Sequence, residues 1–357
     1  MNTPVTLPPE PLFLTYPIRT YSFGGPLIRE KLGKTLTCAA HTTPLAETWE
    51  VSDYGPPAAS AVLVSGPLTG RSLREVVARY PQELMGQGFT GTEFPLLAKF
   101  LDASHMLPVH LHASDETARR KYGVNHGKTE AWHILWAAPD ASILAGVRPG
   151  VTRAELRRAL LEGRYDDVMP RHAIQAGDTV YIPGGVLHSF GPDTLVYEIQ
   201  QTSDLGVSAM PHDLYGQPLP AEQWHASVDD LLDELVWDPQ PRPHPGLPLP
   251  GGVRTVCAAG PHFALERLHV QEPHTWAVTQ AQVLSTLERP LTLHVQGREY
   301  PLNAAQSVIL PACLKQVTLS GQGDALLAYV PDLNVLHTEL RTAGYTDTDI
   351  QALGERS

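Results

Sequence analysis

Apolar residues in the middle of the chain form short runs, closed by turn-forming residues, that predict β-strands. Pro, Gly and Asp stand between the runs, as at Pro139-Asp140. The predicted strands are Phe94–Phe100, Leu107–His112, Glu130–Trp136, Ala141–Val147, Asp178–Ile182 and Thr194–Ile199. Short strands at such even spacing are typical of a β-sandwich or β-barrel.

A second series of short apolar runs follows a proline-rich stretch. Residues 238–251 contain prolines at 239, 241, 243, 245, 248 and 250, which exclude a helix or a central strand and predict a stiff linker. The strands predicted after it are Phe263–Val270, Thr275–Val278, Leu291–Val295, Ser307–Leu310 and Ala325–Val330. We therefore expect a first domain over 1–237, a linker over 238–251 and a second, smaller β-domain over 252–357.

Helices are predicted where apolar residues recur at helical spacing between capping signals. In Thr152–Gly163, Thr152 can cap the first turn, Glu155 completes a capping box, and Gly163 ends the helix. Similar but weaker patterns predict helices over Ser72–Ala78, Ala221–Val236 and Asn334–Thr342. These few helices lie between or beside many predicted strands, so the predicted fold remains mainly β.

Composition limits which binding partners and which cellular compartment we expect for the protein. The 357 residues include 26 basic and 38 acidic side chains, for a net charge of −12, which argues against binding to nucleic acid or anionic membranes. No apolar run approaches the roughly 18 residues that a spanning helix needs, and the N-terminus lacks the pattern of a secretory signal. Cys38, Cys257 and Cys313 are too few and too far apart for a disulfide framework. These features predict a cytoplasmic protein and give no indication of its oligomeric state.

Three histidines and a carboxylate are candidates for a metal site. His110 and His112 lie two residues apart on a predicted strand, so their imidazoles point to the same face. His188 follows a Pro-Gly-Gly turn, and Glu130 opens a later strand. Imidazoles with one carboxylate suit zinc, iron or manganese. A single histidine on a strand is more often a hydrogen-bonded structural residue, and Glu116, close after His112, is an alternative carboxylate in an apparent helix start.

Several motifs together resemble a known family. The H-x-H strand and the run Gly177–His188, which reads G-x5-P-x-G-x2-H, are similar to the two motifs of the cupin superfamily. Gly127–Trp132 resembles the G-K-T-E-x-W motif of type I mannose-6-phosphate isomerases. Further blocks agree in the same order: Pro11–Leu14, Ala46–Ser52, Gly66–Leu68, Phe94–Ala103, Asp178–His188 and Glu198–Asp204. Ser307–Ala312 is weakly similar to a strand of the family's second cupin.

The resemblance implies a fold, a metal and a reaction. The fold would be mainly β, with two cupin units (jelly-roll type β-barrels), a few inserted and flanking helices, and no metal in the second unit. One Zn²⁺ per chain would be held by His110, His112, Glu130 and His188, which selects Glu130 over Glu116. The family's reaction is the interconversion of mannose 6-phosphate and fructose 6-phosphate, so a sugar phosphate is the implied partner.

The resemblance also implies catalytic residues. The polar positions that line the family's pocket correspond to Glu47, Lys99, Lys128 and Glu198. Isomerisation through an enediol moves a proton between adjacent carbons, and Lys128 and Glu198 are the candidates to carry it. We also expect the lysines to help hold the phosphate by charge.

Two positions depart from the family pattern and keep alternatives open. His110 stands where the family has Gln, and Ser208 stands where the family has an arginine thought to be catalytic. A serine supplies no cation, and losing one such group typically slows turnover by about 100- to 1000-fold. The alternatives are a non-catalytic or altered-specificity sugar-binding cupin, and a manganese or iron cupin that acts as an oxidoreductase or decarboxylase.

Overall fold

The computed structural model describes residues 6–34, 36, 44–56 and 59–354, which form two β-barrel units with helices at their margins. Cys38 lies outside the described residues. In chain order the strands are β1 Leu12–Phe13, β2 Ile18–Arg19, β3 Glu47–Val51, β4 Leu96–Ala103, β5 His110–His112, β6 Glu130–Ala137, β7 Ser142–Ala145, β8 Arg171–Ala173, β9 Thr179–Ile182, β10 His188–Phe190, β11 Thr194–Gln201, β12 Gly206–Ser208, β13 Leu247–Pro248, β14 Arg254–Ala259, β15 Ala264–Val270, β16 His274–Val278, β17 Gln282–Thr286, β18 Leu291–Val295, β19 Arg298–Leu302, β20 Ser307–Leu310, β21 Lys315–Ser320 and β22 Gly323–Tyr329.

Each unit consists of two antiparallel sheets with an apolar core. The first unit pairs the sheet β2-β3-β4-β11-β6-β9 with the sheet β12-β5-β10-β7-β8. The second pairs β1-β20-β17-β22-β15-β14-β13 with β16-β21-β18-β19. Side chains from both sheets of the first unit, such as Trp132 and Phe190, share one core cluster. The predicted mainly β, two-barrel architecture is therefore confirmed.

The helices lie around and between the barrels. They are α1 Leu27–Leu32, α2 Leu73–Arg79, α3 Pro81–Met85, α4 Asp115–Thr117, α5 Arg153–Leu161, α6 Tyr165–Val168, α7 Ala221–Glu234, α8 Leu333–Thr342 and α9 Asp347–Gln351, with a π-helical turn at Ala118–Tyr122 and a 3₁₀ turn at Ala312–Leu314. The capping box predicted at the start of α5 is present, because Thr152 accepts from the backbone N–H of Glu155 and Glu155 bonds back to Thr152. Within the described part of the chain, no helix combines the length and apolar character that crossing a bilayer requires.

The sheet that begins with β2 separates the two units and has a different chemistry on each face. Phe100 of β4 and Tyr197 of β11 belong to the large core shared with Val283 and Ile309 of the second unit. Ser285 donates a hydrogen bond of 3.1 Å to the hydroxyl of Tyr197 across this junction. Because alternate residues of a strand face opposite ways, the neighbours of Phe100 and Tyr197 point into the first barrel.

The structure differs from the predicted division of the chain at two places. Strand β1 pairs with β20, Leu12 with Ile309, so the N-terminal segment completes a sheet of the second unit. The stretch 238–251, predicted as a linker, is bound to both units. His244 exchanges backbone hydrogen bonds with Thr179 of β9, and β13 adds to the edge of β14. Pro248 is tolerated there because β13 is an edge strand.

Candidate metal centre and catalytic cavity

Two neighbouring strands bring the three predicted histidines together inside the first barrel. β5 carries His110 and His112, and β10 runs antiparallel beside it with His188 opposite His110. Nε2 of His110 lies 3.1 Å from Nε2 of His112 and 3.1 Å from Nε2 of His188. The ligand atoms of these three residues are close enough to share one ion.

The facing sheet brings Glu130 to the same point. Its carboxylate oxygens lie 3.2 Å from Nε2 of His188 and 3.5 Å from Nε2 of His112. The indole N–H of Trp132, two residues along β6, donates to Oε1 of Glu130 at 3.1 Å. By contrast, Glu116 is exposed in the short helix α4, whose N-cap is Ser114. The structure thus places Glu130 against the histidines and leaves Glu116 on the surface.

The far nitrogen of each imidazole meets a backbone carbonyl. Nδ1 of His110 lies 2.7 Å from the backbone oxygen of Pro108. Nδ1 of His188 lies 2.8 Å from that of Val186, and Nδ1 of His112 lies 3.1 Å from that of Leu205. A carbonyl only accepts hydrogen bonds, so each Nδ1 carries the hydrogen and each Nε2 presents a lone pair. The three lone pairs face one another.

Burial and neighbouring charges keep the imidazoles of His110 and His112 neutral. Burial, with a contribution from His188, lowers the pKa of His110 to about 3, and burial with the Lys128 cation holds the pKa of His112 well below its usual value. Nζ of Lys128 lies 2.8 Å from Nε2 of His112, and an ion shared by all three imidazoles would balance the remaining converging lone pairs. This donor set therefore fits a divalent transition ion, with imidazoles oriented through their second nitrogen as in known zinc sites.

Glycines bring the sequence motifs into contact. A side chain on Gly127 would lie 2.3 Å from the backbone oxygen of Ala113, and one on Gly184 would lie 2.8 Å from the same atom. The loop that follows β5 is thus packed between the G-K-T-E segment and the Pro-Gly-Gly turn. Only residues without a Cβ permit this approach.

A row of side chains with alternating charge crosses the sheet, from the histidine cluster toward the edge of the sheet at β2. Lys99 and Glu198 are cross-strand partners on β4 and β11, and Nζ of Lys99 lies 3.1 Å from Oε1 of Glu198. On one side Lys99 also reaches Glu47 of β3 at 3.4 Å. On the other side Lys128 lies 3.0 Å from Glu130 and 3.5 Å from Glu198. The four polar residues inferred from the family pocket therefore form one connected network.

Burial and mutual charge set the ionisation of this network. Burial opposes the charge of Lys99, but Glu198 and Glu47 outweigh it and hold its pKa well above the usual value. Burial likewise opposes the charge of Lys128, and Glu130 and Glu198 keep its pKa raised. For Glu198, burial and the neighbouring Glu130 raise the pKa to about 7. Both lysines thus remain cations at neutral pH, whereas Glu198 is poised to exchange a proton.

His110, His112 and Glu130 line one cavity of about 190 Å³ together with the charged row. Its described lining is Tyr21, Phe23, Glu47, Lys99, Leu101, Leu107, Pro108, His110, His112, Lys128, Glu130, Trp132, Phe190, Glu198, Asp204, Gly206, Val207, Ser208 and Leu214. Ser208 lies on β12 opposite His110 and so faces the cavity, as the sequence alignment requires. Among these described lining residues none is arginine.

Two lining residues were not expected from the sequence. Asp204 lies 3.6 Å from Nζ of Lys128, and Tyr21 reaches the cavity wall from the segment after β2. Asp204 belongs to a sequence block that resembles the family, but the local sequence does not show that it lies close to Lys128. Tyr21 carries no motif signal at all.

The fold and the cluster define a two-cupin protein whose first barrel presents metal-ligand side chains in a charged cavity. No protein-family profile matches the chain. The mannose-6-phosphate isomerase of Streptococcus mutans is 27% identical over 322 residues, covering 90% of this chain and 98% of the relative. By sequence the chain is therefore a relative of the mannose-6-phosphate isomerases along nearly its whole length, which confirms the resemblance of the motifs.

Solved structures agree in fold. The crystal structure of the Bacillus subtilis mannose 6-phosphate isomerase superposes with a TM-score of 0.78 at 24% identity, covering 90% of this chain and 99% of that one. A zinc-bound mannose 6-phosphate isomerase gives a TM-score of 0.68 at 14% identity over the same 90% of this chain and 99% of its own. These likenesses establish the two-cupin fold.

Proposed function

We propose that this protein is a zinc-dependent aldose–ketose isomerase that interconverts mannose 6-phosphate and fructose 6-phosphate. The observation that carries the proposal is the convergence of three imidazoles and Glu130 beside the Glu198 carboxyl group, whose pKa is raised to about 7. The relatives named mannose-6-phosphate isomerases support the choice of sugar.

We infer that His110, His112, Glu130 and His188 would hold the zinc ion. Imidazole nitrogens and carboxylate oxygens are both ligand types that zinc accepts in proteins. When bound, the ion would act as a Lewis acid toward the oxygens of the sugar. The carbonyl contacts of the three Nδ1 atoms would fix the ring orientations before the ion arrives.

Proton transfer is best assigned to Glu198. Isomerisation removes a proton from one carbon and returns it to its neighbour, so the group must take and give a proton at working pH. Glu198 meets this requirement because burial and Glu130 raise its pKa to about 7. Lys128 and Lys99 remain charged and can stabilise the negative charge that develops on the enediol oxygens. Glu47 holds Lys99 in place.

One observation favours a second candidate function. The described cavity lining contains Ser208 but no arginine, so the protein could bind the sugar without converting it. In that case the same cavity would serve as a sugar-binding site with altered specificity.

The deciding experiment measures metal content and conversion on the same purified protein. Mannose 6-phosphate is supplied at an enzyme concentration near that of the substrate, and fructose 6-phosphate is detected by a coupled assay. We expect about one zinc per chain and measurable conversion. Binding of mannose 6-phosphate without conversion would support the second candidate instead. Bound iron or manganese with oxygen uptake would assign the protein to a different reaction.

A further inference from the structure

The cavity's own lysines are already committed to carboxylates. Lys99 and Lys128 are buried, and each pairs with two or more of Glu47, Glu130, Glu198 and Asp204. Two ammonium groups therefore face four carboxyl groups among the described lining residues. A divalent ion would bring this sum to zero and leave no cation for a phosphate dianion. The expectation that these lysines hold the phosphate does not agree with their pairing.

A further cation lies on the same face of the sheet, at its edge. Arg19 is on the edge strand β2, directly opposite Glu47 of β3. Directly opposed residues of an antiparallel pair share a face, so Arg19 is on the side that carries Glu47 and Lys99. Tyr21, two residues further along, lines the cavity. Arg19 thus extends the row of alternating charge by one strand, away from the histidine cluster.

The guanidinium of Arg19 is held in place without being neutralised. It stacks on the indole of Trp49, with 4.3 Å from Cζ to the ring centroid. Glu47 is engaged elsewhere, accepting from Trp49 Nε1 at 2.7 Å and pairing with Lys99 at 3.4 Å. Among the residues that the structure describes, the guanidinium of Arg19 has no side-chain hydrogen bond or ion pair, and its only contact of this kind is the stacking on Trp49. Stacking uses the face of a guanidinium and leaves its N–H groups available for an anion.

The position of Arg19 suits the far end of the proposed substrate. Neighbouring strands lie roughly 4.8 Å apart, so the backbone of β2 is roughly 10 Å from that of β4, which carries Lys99. Tyr21 lines the cavity on this side, so an open-chain hexose phosphate with its carbonyl end at Glu198 and the histidines can direct its phosphate past Tyr21 toward Arg19. We propose that Arg19 binds the phosphate group of the sugar, at the opposite end of the row from Ser208. This inference rests on the proposed function, since it assigns one group of the same substrate.

Binding measurements test the inference separately from catalysis. Calorimetry gives the dissociation constants of mannose 6-phosphate and of mannose for the wild type, Arg19→Ala and Arg19→Lys. We expect the preference for the phosphorylated sugar to fall by about 10- to 100-fold in Arg19→Ala, the value of a hydrogen-bonded charge pair. Arg19→Lys should recover part of it, because the charge remains while the bidentate geometry is lost. Arg171→Ala is the control, since Arg171 is outside the cavity and paired with Asp166.

Each outcome of these measurements either supports or overturns the assignment of Arg19 to the phosphate. A purely structural role of Arg19 beneath Trp49 would weaken both sugars alike, so an unchanged preference in Arg19→Ala overturns the inference. A wild type that binds mannose 6-phosphate no better than mannose also overturns it. If binding behaves as expected but the coupled assay detects no conversion, the proposed isomerase activity fails while the phosphate site stands.

Discussion

At the scale of single residues, the cost of burying charge explains the cavity. A buried carboxylate or ammonium is stable only when it is paired, and here each pairs with a neighbour of opposite charge. His110 and His112 avoid this cost because burial lowers their pKa values and keeps them neutral, which leaves their lone pairs for a metal. A single substitution in this set therefore changes both ionisation and ligand number.

Replacing His188 by Ala should strip the metal from the protein. The change removes one of the three nitrogens that share a single point, so the remaining imidazoles and Glu130 should bind the ion much more weakly than the full set. We expect the bound zinc, measured by elemental analysis after dialysis, to fall from about one per chain to near zero, with activity lost in parallel. Glu116→Gln is the matched control, since Glu116 is exposed on α4, and it should retain the metal. Retention of metal in His188→Ala would refute the ligand assignment.

Replacing Ser208 by Arg should increase turnover of mannose 6-phosphate. Ser208 faces the cavity opposite His110, so an arginine there would place a cation near the reacting oxygens. Preorganised cations of this kind contribute about 100- to 1000-fold in turnover, and part of that should be gained. Steady-state kinetics measures the effect, with Ser208→Ala as the control that removes the hydroxyl without adding charge. An unchanged rate in Ser208→Arg would show that this position does not act on the sugar.

At the scale of elements, some helices and strands are predictable from local sequence signals, whereas others form only through pairing with distant strands. Helix α5 begins where its capping box predicts, and α2 begins with a second box at Ser72. Strands β18 and β20 have the bounds expected from the sequence. By contrast, β21 reads Lys-Gln-Val-Thr-Leu-Ser and was not predicted. Its alternating polar residues become a strand through pairing with β16 and β18, which no local pattern specifies.

The residues of the candidate site likewise fall into those that sequence motifs reveal and those that depend on strand pairing. The H-x-H spacing, the Pro-Gly-Gly turn and the resemblance to a family were enough to name the residues that the structure brings together. Their roles as ligands and catalysts remain predictions. Arg19, Tyr21 and Asp204 could not be found in this way, because each depends on which strands become neighbours. Arg19 stands opposite Glu47 only through the β2–β3 pairing.

Replacing Thr152 by Ala should destabilise the protein by about 1 kcal/mol. The hydroxyl of Thr152 accepts from the backbone of Glu155, and its loss leaves a helix-terminal N–H without that partner. Urea denaturation measures the change, which should appear as a lower midpoint with an unchanged slope. Thr152→Ser keeps the acceptor and should restore most of the stability. Equal stability of the Ala variant and the wild type would show that the cap contributes nothing.

At the scale of the whole molecule, buried histidines make stability depend on pH. His133 of β6 is buried, its Nδ1 lies 2.8 Å from the hydroxyl of Thr179, and burial with Arg267 lowers its pKa to about 3. The unfolded chain binds a proton at this residue below its ordinary pKa of about 6.5, whereas the folded chain does not. Acid therefore favours the unfolded state.

The stability of the metal-free protein should fall as the pH decreases below about 6.5. Between roughly pH 7.5 and pH 5, His133 alone should remove about 2 kcal/mol of unfolding free energy. Urea denaturation in the presence of a chelator at both pH values gives this loss for the wild type and for His133→Gln. The variant should lose about 2 kcal/mol less than the wild type over the same interval. The same loss in both proteins would show that His133 does not titrate in this way.

The pairing of β1 with β20 has a consequence for synthesis on the ribosome. Leu12 and Phe13 are made long before Ile309 and Val308, the residues to which they are hydrogen-bonded. The seven-stranded sheet can close only after almost the entire polypeptide has emerged, so its nascent form must wait with β1 unpaired. A shortened gene that begins at residue 252 would encode β20 with an uncovered edge, which we expect to promote aggregation.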